Sequence, residues 1–200
     1  VPQAEFFVQA GEEIDLGERR AEVERRLVAP LRRSFEVAHD GIAEPGVDLA
    51  DRREVDGIVV QAGERAYAEH PNERTSASYF AANWGAIVAA DRFDFITGDR
   101  EIVPGISVRL TPGHTPYHQS VILQSGGETA CFLGDVVPTS HHLPLPWIMG
   151  YDVEPLVTLE SKRALLADAL RDDWLLIFEH DATVGFGRVM HDGKSYRLAE

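Results

Sequence analysis

The chain is poor in cysteine, in basic side chains and in long apolar runs. Its single cysteine, Cys131, excludes a disulfide framework and fits a reduced, cytoplasmic setting. Because Cys131 lies inside an apolar stretch, we expect a small buried hydrophobe there and not a nucleophile. Lys and Arg number 19 against 33 Asp and Glu, which gives a net charge of −14. This balance argues against nucleic acid and against an anionic membrane surface as partners.

No apolar run is long enough to span a bilayer, and no signal peptide is visible. The chain begins with Val1 and not with methionine, which fits a fragment or a processed product. Hydrophobic residues make up 44% of the 200 residues, as in soluble globular proteins. This length and composition predict one domain with a core of its own.

From Gly57 onward, strand and helix signals alternate. Glycine pairs and Asp-Gly pairs predict two hairpins, through Gly126-Gly127 and through Asp192-Gly193. Residues 153–172 carry the clearest helix signal, with Asp152 as a candidate cap. A mixed α/β class follows from this pattern.

The periodicity of that helix predicts which of its side chains are buried. Its buried stripe is expected to consist of Leu156, Leu159, Leu166, Ala169 and Leu170. Its charged side chains, Lys162, Asp168 and Arg171, are expected to face solvent.

Three apolar segments each end in a turn and then in a polar residue that can bind a metal. These segments are 106–114, 131–135 and 174–180, and their terminal residues are His114, Asp135 and His180. Imidazole and carboxylate are the ligand types that zinc and similar ions take. The three residues lie 21 and 45 positions apart, so they can meet only if their strands end at the same edge of the core.

The order Thr-Pro-Gly-His-Thr, Phe-Leu-Gly-Asp and Phe-Glu-His-Asp resembles that of the metallo-β-lactamase-fold hydrolases, especially their lactonase-like branch. The resemblance covers roughly residues 58–200. It implies an αββα sandwich whose N-terminal half is incomplete or divergent. We therefore expect a single domain over 1–200, with a divergent segment at 1–56 and a recognisable part at 57–200.

The resemblance also implies roles for the three strand-end residues. His114 would bind a first metal, Asp135 would bridge two metals, and His180 would bind the second. Asp135 would in addition be catalytic, by positioning the attacking water. One or two zinc ions are expected, with manganese or iron as alternatives.

Further residues are assigned to the surroundings of this site. His118 matches the second histidine of the Thr-Pro-Gly-His element and is expected to support the ligands, as is Asp181. The loop residues His142, Trp147 and Tyr151 are candidates for a substrate pocket.

One departure from the family pattern leaves two functional interpretations open. The motif His-x-His-x-Asp-His is missing from residues 1–113, where His39 and His70 are the only histidines. Two hypotheses remain. The first is a hydrolase that opens a lactone, ester or similar bond of a small molecule with metal-activated water. The second is a truncated or degenerate domain without catalysis, retained as a binding or oligomer subunit. Fewer than two metal equivalents are expected, and a homodimer is left open.

Overall fold

The computed structural model describes residues 57–199, and the expectations for residues 1–56, His39 included, lie outside them. Within this part, strands and helices follow in the order β1 (Ile58–Gln61), α1 (Ala62–Glu69), α2 (Ala81–Ala89), β2 (Phe93–Ile96), β3 (Arg100–Val103), β4 (Ile106–Leu110), β5 (Gln119–Ser125), β6 (Glu128–Phe132), α3 (Pro155–Arg171), β7 (Leu175–Ile177), β8 (Phe186–His191) and β9 (Tyr196–Leu198). The predicted mixed α/β class is confirmed.

The strands form two sheets. β1 and β2 pair in parallel as a two-stranded sheet, while β3 to β9 form a seven-stranded sheet in chain order. Both predicted hairpins are present: β5 turns through Gly126-Gly127 into β6, and β8 pairs antiparallel with β9 around Asp192-Gly193. In the described residues, no helix is long and apolar enough to cross a membrane.

Strand direction brings three strand ends to one edge of the larger sheet. β4 and β6 both pair antiparallel with β5, so they run in the same direction as each other. β7 pairs in parallel with β6, because α3 carries the chain back across the sheet before β7 begins. The carboxyl ends of β4, β6 and β7 therefore lie at the same edge, as the sequence pattern requires.

Helix α3 covers one face of this sheet and closes the core. The core contains Ile122, Cys131, Leu133, Leu143, Leu165, Leu166, Ala169, Leu176 and Val189. The sulfur of Cys131 is fully buried, and burial raises the pKa of its thiol to about 12. Cys131 is thus the buried hydrophobe that was expected, since a thiol of this kind is not ionised near neutral pH.

The expected burial pattern of α3 is wrong for three of the side chains that it names. Lys162 was predicted to face solvent but is fully buried, whereas Leu156 and Leu170 are 77% and 39% exposed. The Lys162 ammonium donates hydrogen bonds to the carbonyl oxygens of Pro144 (2.7 Å) and Trp147 (2.8 Å). The loop before α3 folds over this side of the helix, so burial follows the loop as well as the sheet.

The start of α3 also differs from the prediction. The helix begins at Pro155, and the preceding residue, Glu154, makes no side-chain capping hydrogen bond. Asp152, predicted to be the cap, is buried and turns toward the edge where β4, β6 and β7 end.

Candidate functional site

His114 is carried by a tight turn that follows β4. Gly113 has φ +133°, and a Cβ built there would lie 2.2 Å from the amide nitrogen of Thr158, so only glycine fits against the first turns of α3. The Gly113 amide donates to the carbonyl oxygen of Thr115 (2.8 Å), which closes the turn. The position of the His114 backbone is therefore set by packing against α3.

The His114 imidazole lies between two carboxylates. Its Nδ1 is 2.9 Å from Oδ1 of Asp152, and its Nε2 is 3.4 Å from Oδ2 of Asp135. Because a carboxylate oxygen only accepts, the ring donates from Nδ1 to Asp152 and turns Nε2 toward Asp135. Burial lowers the pKa of His114, but the Asp152 hydrogen bond and the charge of Asp135 outweigh burial and raise it above its ordinary value.

Asp152 is a site residue that the sequence does not reveal, because its position before α3 predicts a helix cap. Its side chain is almost completely buried. The charge of the buried Lys162 ammonium interacts with it, which offsets part of the cost of burying a carboxylate. Burial in turn lowers the pKa of Lys162 to about 8.

Asp135 follows β6 in a single turn of 3₁₀ helix, Gly134–Val136. Its backbone amide donates to Nε2 of His118 (3.1 Å), while Nδ1 of His118 donates toward Thr111, whose hydroxyl oxygen is 2.8 Å away. An imidazole that accepts an amide hydrogen must be neutral, and burial accordingly lowers the pKa of His118 to about 4. His118 thus holds Asp135 through its backbone.

His180 reaches Asp135 from the end of β7. Its Nε2 lies 3.2 Å from Oδ1 of Asp135, and its backbone amide donates to the carbonyl oxygen of Pro138 (3.0 Å). The structure therefore brings His114, Asp135 and His180 together. Asp135 stands between the two imidazoles and presents one carboxylate oxygen to each.

Glu179 joins this group and was not predicted. Ligand-type atoms of Asp135, Glu179 and His180 all lie within 4.8 Å of one another. The sequence signal was the acidic residue directly before His180 at the end of an apolar strand. Adjacent side chains at a strand end point to opposite faces, so the strand pattern does not predict that both Glu179 and His180 lie near Asp135.

A second missed residue, Glu64 in α1, contacts the turn that carries His114. Its carboxylate accepts hydrogen bonds from the hydroxyls of Thr115 (2.8 Å) and Tyr79 (2.5 Å) and from the amide of Tyr117 (3.3 Å). Burial, followed by the hydrogen bond to Glu64, raises the pKa of Tyr79. Glu64 thereby connects α1 to the chain directly after His114.

The other predicted residues lie on loops around this edge. Asp181 accepts hydrogen bonds from the amide and hydroxyl of Ser140 (2.9 and 2.6 Å) and from the amides of Thr183 and Val184. These hydrogen bonds lower the pKa of Asp181, and the bond from the Ser140 hydroxyl has the largest effect. Asp181 thus ties together the loops that follow β6 and β7.

The three residues predicted for a substrate pocket follow in the loop before α3. The Nδ1 atom of His142 is 2.8 Å from the hydroxyl oxygen of Thr139. Trp147 and Tyr151 are 60% and 81% exposed. Their contact with a substrate stays a prediction.

The arrangement at this edge can be compared with known proteins. The sequence profile of the metallo-β-lactamase superfamily matches residues 35–180. The chain belongs to this superfamily. An N-acyl homoserine lactonase from a Bacillus species is 28% identical over 127 residues, which cover 62% of this chain and 46% of the relative. The chain thus spans about half the length of the curated relatives it matches.

Solved structures of hydrolases share the fold of this chain. A probable metal-dependent hydrolase from Staphylococcus aureus superposes with a TM-score of 0.63 at 27% identity, over 71% of this chain and 52% of that one. An N-acyl homoserine lactone hydrolase, solved with its product N-hexanoyl-L-homoserine at the catalytic metal centre, gives a TM-score of 0.52 at 26% identity, over 63% and 47%. The lactonase relatives confirm the predicted resemblance to the lactonase-like branch.

Proposed function

We propose that this metallo-β-lactamase-superfamily chain is a metal-dependent hydrolase that opens an ester or lactone bond in a small molecule. The observation that carries the proposal is the position of Asp135 between two imidazoles, with Nε2 of His114 at 3.4 Å and Nε2 of His180 at 3.2 Å. Imidazole nitrogens and carboxylate oxygens that converge in this way are the ligand types that zinc and similar divalent cations take. Lactonase relatives at modest identity support the reaction class.

The donor set fits a metal of intermediate hardness. His114, Asp135 and His180 would hold it, and their nitrogen and oxygen atoms suit zinc, with manganese or iron as alternatives. When bound, such an ion supplies Lewis-acid polarisation of a carbonyl group and makes water more acidic. Asp135, with both of its oxygens directed into the site, is the residue that we propose to position the attacking water as well.

The chain's own contacts prepare this geometry before any ligand binds. Asp152 holds Nδ1 of His114, so that the lone pair on Nε2 is directed into the site. His118 holds the amide of Asp135. Such fixed partners keep ligands in place and reduce the reorganisation that binding requires.

The proposed substrate is a lactone or ester with an apolar portion. The N-acyl homoserine lactonases among the relatives support a lactone. The exposed rings of Trp147 and Tyr151, on the loop between β6 and α3, offer apolar surface for the rest of the molecule.

The test is a hydrolysis assay with a panel of N-acyl homoserine lactones, other lactones and aryl esters, in the presence of excess zinc or manganese. We expect a chelator to abolish turnover and added metal to restore it. His114→Ala and Asp135→Asn should remove activity that added metal does not restore, since each removes a donor from the site. His191→Ala, an exposed substitution in β8, is the matched control and should behave as the parent chain.

One observation favours a second candidate function. The missing His-x-His-x-Asp-His motif in residues 1–113 would leave a two-metal site without part of its ligands. On this alternative, the chain keeps the fold without catalysis. A parent chain that is folded by circular dichroism and inactive on the whole panel with metal in excess would support the alternative and overturn the hydrolase proposal.

A further inference from the structure

Glu179 gives the His180 side of Asp135 a third ligand-type side chain. Atoms of Asp135, Glu179 and His180 that can bind a metal lie within 4.8 Å of one another, a separation that a single ion can span. All three side chains retain some exposure, so a cation can reach them from solvent.

The backbone explains why these side chains meet. β6 and β7 are parallel neighbours, with Phe132 opposite Ile177, so the residues that follow them leave the sheet side by side. The amide of Leu133 donates to the carbonyl oxygen of Ile177 (3.1 Å), which continues the ladder toward Asp135. The hydrogen bond from the His180 amide to Pro138 then holds the two loops together. The cluster is therefore fixed by main-chain pairing.

The two negatively charged carboxylates of the cluster favour the binding of a cation. The carboxylates of Asp135 and Glu179, held this close, repel each other. A divalent ion between them converts this repulsion into attraction. The resulting set of two carboxylates and one imidazole is harder than a set of histidines, which favours Mn²⁺ relative to Zn²⁺.

We infer that Glu179 is a metal ligand, which joins Asp135 and His180 on the His180 side of the proposed metal site. The inference deepens the proposed function and rests on it for the presence of a metal. It assigns to Glu179 a role that compensates for ligands missing from the sequence upstream.

The experiment is calorimetric titration of the metal-free chain with Mn²⁺ and with Zn²⁺, without substrate. Glu179→Gln should weaken Mn²⁺ binding by at least about tenfold, a loss typical even of residues that only support a ligand. The loss should be smaller for Zn²⁺, because the removed donor is a hard oxygen. His180→Ala is the positive reference. Glu160→Gln, the same change on the exposed surface of α3, is the matched control and should bind as the parent does.

A spectrum of the Co²⁺-loaded chain provides a second readout. Loss of a ligand should change the visible absorption of Co²⁺ in Glu179→Gln but not in Glu160→Gln, while tryptophan fluorescence checks that each variant is folded. A Glu179→Gln chain with the parent's Mn²⁺ affinity and Co²⁺ spectrum would overturn the inference, even if the parent hydrolyses lactones. A parent that binds Mn²⁺ through Glu179 but hydrolyses nothing would leave the inference standing and remove the proposed function.

Discussion

The turn before His114 offers a sharp test of how the fold positions the site. Gly113→Ala introduces a Cβ at φ +133°, 2.2 Å from the amide nitrogen of Thr158 and 2.5 Å from its Cα. Gly127→Ala, in the β5–β6 hairpin, also requires a positive φ (+82°), but nothing lies within 4 Å of the new Cβ. The two substitutions therefore share the backbone strain and differ in the close approach.

The magnitudes follow from these two contributions. A non-glycine residue at positive φ costs about 1–3 kcal/mol, and overpacking against a fixed backbone adds about 1–3 kcal/mol. We expect Gly127→Ala to lower the free energy of unfolding by about 1–3 kcal/mol and Gly113→Ala by about 3–5 kcal/mol. Gly113→Ala should also weaken metal binding, because relief of the clash moves the His114 turn away from α3.

Urea denaturation followed by tryptophan fluorescence measures this difference. The three tryptophans, Trp84, Trp147 and Trp174, all lie in the described part of the chain, so their emission reports on its unfolding. Equal destabilisation by the two alanine substitutions would refute the reasoning, since it would mean that the turn yields to the new Cβ without cost.

Three further predictions concern the residues that support the site. Glu64→Ala removes three hydrogen bonds to one carboxylate and should lower the free energy of unfolding by about 2–4 kcal/mol in urea, whereas the exposed Glu73→Ala should change it by less than about 0.5 kcal/mol. His118 has a pKa of about 4 when folded and about 6.5 when unfolded, so the unfolded chain binds more protons between these values. Stability should therefore fall by up to about 3 kcal/mol as pH drops from about 6.5 to about 4, and His118→Gln should remove this component of the pH dependence measured by thermal unfolding. Asp152→Asn should lower zinc affinity about tenfold by titration, because it removes the charge that orients His114, and an unchanged affinity would contradict that role.

The sequence predicted the strand-end residues because their signals are local. An apolar run followed by Pro-Gly or Gly puts His114 and Asp135 directly after strands, and the parallel placement of β6 and β7 brings His180 to the same edge. Residue type alone also led to the metal-site hypothesis, since imidazole and carboxylate at strand ends are ligand types.

What the sequence could not predict depends on how α1 and α3 approach the sheet. Asp152 and Glu64 reach the His114 turn from segments 38 and 50 residues away in sequence, and no periodicity encodes that distance. Lys162 was predicted to be exposed because lysine rarely lies inside, yet the loop carbonyls of Pro144 and Trp147 surround its ammonium. Contacts of this kind follow from tertiary packing alone.

The central claim is that Asp135 is the centre of a metal site in this metallo-β-lactamase-superfamily chain. Elemental analysis after dialysis measures it most directly, with the parent chain and Asp135→Asn loaded with zinc or manganese side by side. The account predicts about one equivalent in the parent and almost none in Asp135→Asn, since the carboxylate contacts donors on both of its sides. An Asp135→Asn chain that retains as much metal as the parent would contradict the account.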